Sequence, residues 1–145
     1  MSKINYFFEK TPPFKRPLPA KKWIRACALN EGWDIGALNF IFCSDKYLQK
    51  INKQYLNRTY FTDVISFDST PTGPGETNTT AILFGDVFIS VDRVKENHKT
   101  YKTIFAKELK RVMIHGALHL MGFKDSSEKE ALIMKEKENH YINLK

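Results

Sequence analysis

The chain has 145 residues, 42% of them hydrophobic and 13% aromatic, and carries a formal charge of +7. This length suits one domain, expected over 1–145, and this apolar content excludes a disordered chain. No apolar run nears the roughly 18 residues of a membrane span, and the N-terminus lacks the apolar stretch of a secretory signal. Cys27 and Cys43 stand far apart with no Cys-x-x-Cys pair, which excludes a thiolate zinc site and predicts buried free thiols in a reducing, cytoplasmic setting.

Tyr6, Phe7 and Phe8 predict an edge strand, and prolines 12, 13, 17 and 19 then exclude regular structure through residue 19. A helix is expected over 20–31 with Trp23, Ile24, Cys27 and Ala28 inward, stopped by Gly32. Residues 37–43 read as a buried strand, and Ser44 as the cap of a helix carrying Tyr47, Leu48, Ile51 and Tyr55. A short strand over 62–67 ends at Asp68, and residues 69–80, rich in Ser, Thr, Pro, Gly and Asn, predict a loop or loose hairpin. Residues 81–84 and 87–89 predict one strand interrupted or bent at Gly85.

A short helix over 92–98 precedes a long one over 101–121, whose apolar stripe is Ile104, Phe105, Leu109, Val112, Met113, Gly116 and Leu120. A last helix is expected over 128–141, with Ala131, Leu132 and Met134 as candidates for burial.

The charge is uneven. Residues 1–25 hold seven Lys or Arg against one Glu, and residues 93–111 hold seven against two. A polyanion is the partner this distribution suits. Lys102, Lys107, Lys110 and Arg111 are the residues expected to meet its phosphates, without the interleaved aromatics of a base-stacking platform.

The chemistry concentrates at His115-Gly116-Ala117-Leu118-His119-Leu120-Met121-Gly122-Phe123-Lys124-Asp125. Two histidines at i and i+4 stack on one helical face about 6 Å apart, close enough to share one zinc. Gly122 ends the helix, and Asp125 beyond it closes a three-ligand set that leaves a coordination position open, as a hydrolytic metal site requires. Gly116 costs about 1 kcal/mol against alanine inside a helix, which points to something packed against the backbone there. It also occupies the place of the glutamate base in His-Glu-x-x-His peptidases, which argues against that activity. His98 and His140 are weak ligand candidates. Asp63 and Asp86, each among apolar neighbours, read either as carboxylates that brace the fold or as acceptors for the second nitrogen of a ligand histidine.

The segment His115 to Phe123 resembles, without a gap, the His-Gly-x-Leu-His-Leu-x-Gly-aromatic pattern of the YbeY family of ribosomal RNA maturation factors. Ile51-Asn52, Thr62-Asp63-Val64-Ile65-Ser66-Phe67, Gly85-Asp86-Val87-Phe88-Ile89-Ser90 and Glu108-Leu109 resemble further family segments. The family's usual third histidine ligand falls on Asp125 and its usual aspartate on Lys124. Leu56 stands where the family commonly has an arginine facing phosphate, and Arg58, two residues on, is expected to supply that charge. The resemblance implies an α+β fold, a small mixed sheet packed with helices, with the metal site on the long helix and the turn after it. It also implies a zinc-dependent endoribonuclease specific for single-stranded RNA, acting on rRNA and the ribosomal small subunit in 3′-end maturation and quality control. The expected set is then Arg58, Asp63 and Asp86 as catalytic residues and His115, His119 and Asp125 around one Zn2+. An RNA-binding assembly factor with a structural metal is the alternative, and a metal-dependent peptidase a more distant one.

Overall fold

The computed structural model describes residues 3–58, 62–70 and 81–144. Strands β1 (Lys3–Glu9), β2 (Asp34–Cys43), β3 (Val64–Asp68) and β4 (Ile82–Ser90) form one sheet in the order β1-β2-β4-β3. The first three neighbours run parallel, and β3 is antiparallel to β4. Parallel pairing needs crossovers, and helices α1 (Lys21–Asn30) and α2 (Asp45–Leu56) lie in those connections. Helices α3 (Val91–Thr100), α4 (Phe105–Leu120) and α5 (Glu128–Ile142) follow the sheet. The fold is therefore mixed α+β. Among the described residues no helix is long and apolar enough to cross a membrane.

Strand parity divides the core. Leu38, Phe40 and Phe42 of β2 and Leu83, Val87 and Ile89 of β4 share one cluster with Trp23, Ile24 and Cys27 of α1 and Leu109, Met113 and Ala117 of α4. On the other face Cys43 and Ile65 pack with Leu48 of α2, flanked by Phe67 and Phe88. A polar row also crosses that second face. Asn5 donates to Asn39 at 3.0 Å, and Asn39 donates to Asp86 at 2.9 Å. Both cysteines are buried free thiols, pushed by burial up to about 12.

Several expected boundaries move. Strand β4 runs unbroken through Gly85, because both its ladders are complete there, to Leu38 of β2 and Asp68 of β3. The long helix begins at Phe105 rather than residue 101. Tyr101 closes α3, Lys102 takes a left-handed backbone (φ 54), and the Thr103 N–H returns to the His98 carbonyl at 2.9 Å. Ile104 is thereby an exposed cap, outside the apolar stripe. On α5 the buried row is Met134, Glu138, Tyr141 and Ile142; Ala131 and Leu132 face solvent. Residues 71–80 of the expected loop lie outside the described residues.

The contact that orients the metal helix is at Gly116. A Cβ there would lie 2.5 Å from Val87 Cγ1 and 3.1 Å from both Ser66 Oγ and Val64 Cγ2. The Ser66 hydroxyl donates to the Gly116 carbonyl at 2.9 Å. Strands β3 and β4 thus meet the bare backbone of α4. Gly116→Ala is expected to destabilise the fold by about 1–3 kcal/mol through overpacking, against the roughly 1 kcal/mol that helix propensity alone would add. Urea denaturation reads the sign directly. Adding Val87→Ala to Gly116→Ala should recover part of the loss.

Candidate metal centre

With Gly116 held to the sheet, Glu108, Val112, His115 and His119 form a row along a neighbouring face of α4. The helix ends through Gly122 (φ 101), whose N–H bonds the His119 carbonyl at 3.1 Å while the Phe123 N–H bonds Leu118 O at 3.0 Å. That reversal returns the chain past the histidines. Asp125 Oδ2 lies 3.4 Å from His115 Nε2 and 3.7 Å from His119 Nε2, and the two Nε2 atoms are 2.9 Å apart. Among the described residues these three form the one cluster of ligand atoms close enough to hold a metal ion.

The outer hydrogen bonds show that the donor set fits a cation. His119 Nδ1 faces the Phe123 carbonyl at 2.9 Å, and a carbonyl only accepts, so Nδ1 carries the proton. His115 Nδ1 donates to Glu138 Oε2 at 2.6 Å. In the neutral imidazoles both Nε2 lone pairs therefore point at each other and at a carboxylate oxygen. Three acceptors so placed repel unless a cation lies among them. Two ligands on one tetrahedral zinc ion stand about 3.4 Å apart, and the three separations bracket that value.

Protons compete for the same position. Burial lowers the pKa of His115, but the hydrogen bond and charge of Glu138, with Asp125 and Asp63, outweigh it and leave the metal-free imidazole above its ordinary value. His119 goes the other way, lowered by burial and by His115.

Glu138 is the functional residue that the sequence reading missed. It is only 7% exposed, and Arg111 Nη1 donates to its other oxygen at 3.0 Å. Arg111 also donates to Asn139, and its Nε lies 3.7 Å from Glu108 Oε1. The available signal was a carboxylate in the otherwise apolar α5 row of Met134, Tyr141 and Ile142. Glu108 is also buried, its Oε1 without a hydrogen-bond partner, and burial pushes its carboxyl up to about 7 against the pull of Arg111.

The other expected residues separate. Arg58 and Asp63 line a cleft of ≈ 470 Å3 together with Asn52, His115, His119 and Asp125. Asp63 also borders a second cleft, ≈ 620 Å3, that holds Glu108, Arg111 and Glu138. Burial raises the Asp63 carboxyl's pKa, with His115 pulling it down. Asp86 lies on the sheet face away from α4, in the Asn39 row. Lys102 and Lys107 are exposed; Lys110 Nζ lies 5.1 Å from the Trp23 ring, and Arg111 is held by Glu138. His98 Nδ1 lies 3.1 Å from the Thr103 carbonyl, and His140 stands beside Tyr141, both away from the cluster.

Glu138→Gln should weaken metal binding about 10–100-fold, the usual cost of losing an outer partner of a ligand histidine. Chelator competition measures it. In the native protein, affinity should fall on acidification from a pH above the ordinary imidazole value, because His115 gains its proton there. In Glu138→Gln that onset should move to lower pH.

The family model described as "Endoribonuclease YbeY" matches residues 17–144. The Endoribonuclease YbeY of Christiangramia forsetii is 45% identical over 97% of this chain and 93% of its own length. That of Karelsulcia muelleri is 45% identical over 96% and 93%. The solution structure of TM1509 from Thermotoga maritima superposes with a TM-score of 0.60 at 26% identity, covering 94% of this chain and 86% of that one. Family model, relatives and fold agree with one another: the chain belongs to the YbeY family of endoribonucleases.

Proposed function

We propose that this chain is a zinc-dependent endoribonuclease specific for single-stranded RNA, a single cytoplasmic domain over 1–145 that matures the 3′ end of small-subunit rRNA and serves ribosome quality control. One observation carries the reading: a convergent His-His-Asp donor set opens onto a cleft that also holds Arg58, in a chain of endoribonuclease lineage. His115, His119 and Asp125 hold one Zn2+ in this reading. When bound, the ion supplies a Lewis acid at the scissile phosphate.

The chain's own groups do the rest. Glu138 and the Phe123 carbonyl keep each Nδ1 protonated, so both Nε2 atoms face the ion as lone pairs. Arg58 enters the cleft just beyond the left-handed Asn57 (φ 53) that ends α2, its N–H bonded to the Asn52 carbonyl at 3.2 Å. Its guanidinium binds a phosphate oxygen by a charge-assisted hydrogen bond. In this reading Asp63, whose carboxyl pKa is raised by burial, exchanges a proton with the substrate at the cleft wall. Lys102 and Lys107, both exposed, add positive potential for the strand. Three ligands among the described residues are one short of the four protein groups of a structural zinc site, which favours a catalytic over a purely structural ion.

Elemental analysis should find one zinc per chain, lost in Asp125→Ala. That variant and chelator treatment should each abolish cleavage of single-stranded RNA, while duplex RNA stays intact throughout. Activity that survives both controls would sink the nuclease reading. Arg58→Ala should leave the melting temperature unchanged and slow cleavage at least about tenfold, the equivalent of about 1.4 kcal/mol of transition-state stabilisation. An unchanged rate would show that Arg58 does not replace the family arginine absent at Leu56.

A further inference from the structure

A third concave surface lies along the exposed face of α2. Lys46, Lys50 and Lys53 of that helix and Lys10, just past β1, line a groove of ≈ 670 Å3 together with Tyr47. All four lysines are exposed. The basic residues Arg93, Arg111 and Lys137 have carboxylate partners within 4.0 Å. Asp45, next to Lys46, accepts from Arg93 at 3.1 Å and from Ser90 at 3.2 Å. Glu9, next to Lys10, is close enough for its charge to reach Tyr47, so the four lysines outnumber the two acids beside them in sequence. Like charges gathered in a groove repel one another in the absence of a counter-ion.

A row of lysines on the outer face of a helix is also what solubility alone produces. Two features go beyond that. Lys10 comes from a different element, so the charges converge on a concavity and do not merely decorate a ridge. The groove also lies along the helix whose C-terminal end borders the metal cleft: Lys53 lines the groove, and Asn52, Leu56 and Arg58 line the cleft. Lys46 to Lys53 span about 10 Å of helix axis, and a stacked nucleic-acid strand places about three phosphates in that length at ~3.4 Å each.

We infer that the Lys10–Lys46–Lys50–Lys53 groove binds the phosphodiester backbone of single-stranded RNA away from the cut, and that α2 guides the strand from this groove to Arg58 at the metal. The identity of the polyanion rests on the nuclease reading; the charge and the shape do not. The lysines meet phosphate and not bases, so the contact is sensitive to salt.

The test compares the intact protein with a Lys46→Gln/Lys50→Gln/Lys53→Gln variant and with Lys50→Gln alone. The probes are a uridylate trinucleotide and a much longer uridylate strand, both 2′-O-methylated to prevent cleavage. On the long strand, the slope of log affinity against log salt should become shallower by about 2 in the triple variant and by about 0.7 in the single one. Trinucleotide binding should not change, and lysine-to-arginine replacements should keep the native slope. An unchanged slope in the folded variants overturns the inference; if the triple variant does not fold, Lys50→Gln decides. Native protein that binds the long strand no better than the trinucleotide overturns it as well. If the slopes change as expected but unmethylated RNA is never cleaved, the nuclease reading falls and the groove assignment stands.

Discussion

The approach of β3 and β4 to the backbone of α4 at Gly116 sets the direction of everything in the metal centre. An α-helix turns about 100° per residue. With Gly116 pinned by Val87 and the Ser66 hydroxyl, His115 and His119 stand about 100° and 60° to the same side of the seam. They leave the core together and reach the mouth of one cleft. A side chain at 116 would collide with Val87 and force α4 and the sheet apart. The glycine that weakens the helix locally is what aims it.

The centre is then held by a line of alternating charges running into the interior. Asp125 faces the two imidazoles, Glu138 accepts the His115 Nδ1–H hydrogen bond, Arg111 holds Glu138, and buried Glu108 lies behind Arg111. Each buried group there would be costly alone and is sustained by its neighbour. Arg111 thereby serves the interior, although its place in a basic stretch of sequence suggests a role on the surface.

What was legible in the sequence follows the range of each interaction. The histidine pair and the glycine turn to Asp125 are local, and eleven consecutive residues contain them. The helices over α1, α2 and α5 show in their apolar spacing, and the buried thiols in the absence of any paired cysteine. Glu138 was not legible as a partner of His115, because 23 residues separate them and only the packing of α5 on α4 brings them together. Asp63 and Asp86 looked alike as isolated carboxylates. Strand parity separates them: Asp86 points to the face opposite α4, while Asp63 precedes β3 and borders the cleft. Lys46, Lys50 and Lys53 drew no notice for a related reason. The groove exists only once Lys10 is folded beside them.

The row Asn5–Asn39–Asp86 determines how the edge of the sheet is addressed. Alternation of apolar and polar positions specifies strand register only to within a multiple of two, since a two-residue slip returns every side chain to its own face. Strand β1 is an edge strand that contacts the sheet through β2 alone, so burial by itself would tolerate such a slip. The amide row removes the degeneracy. Asn5, Asn39 and Asp86 are directly opposite one another in a single register. Moved two places, Asn5 would meet Ala37 or Ile41, and Asn39 would lose its amide partner to Lys3 or Phe7. Three polar side chains on the sheet face away from α4 thus act as the alignment mark that makes one pairing of the N-terminal strand distinguishable from its near copies.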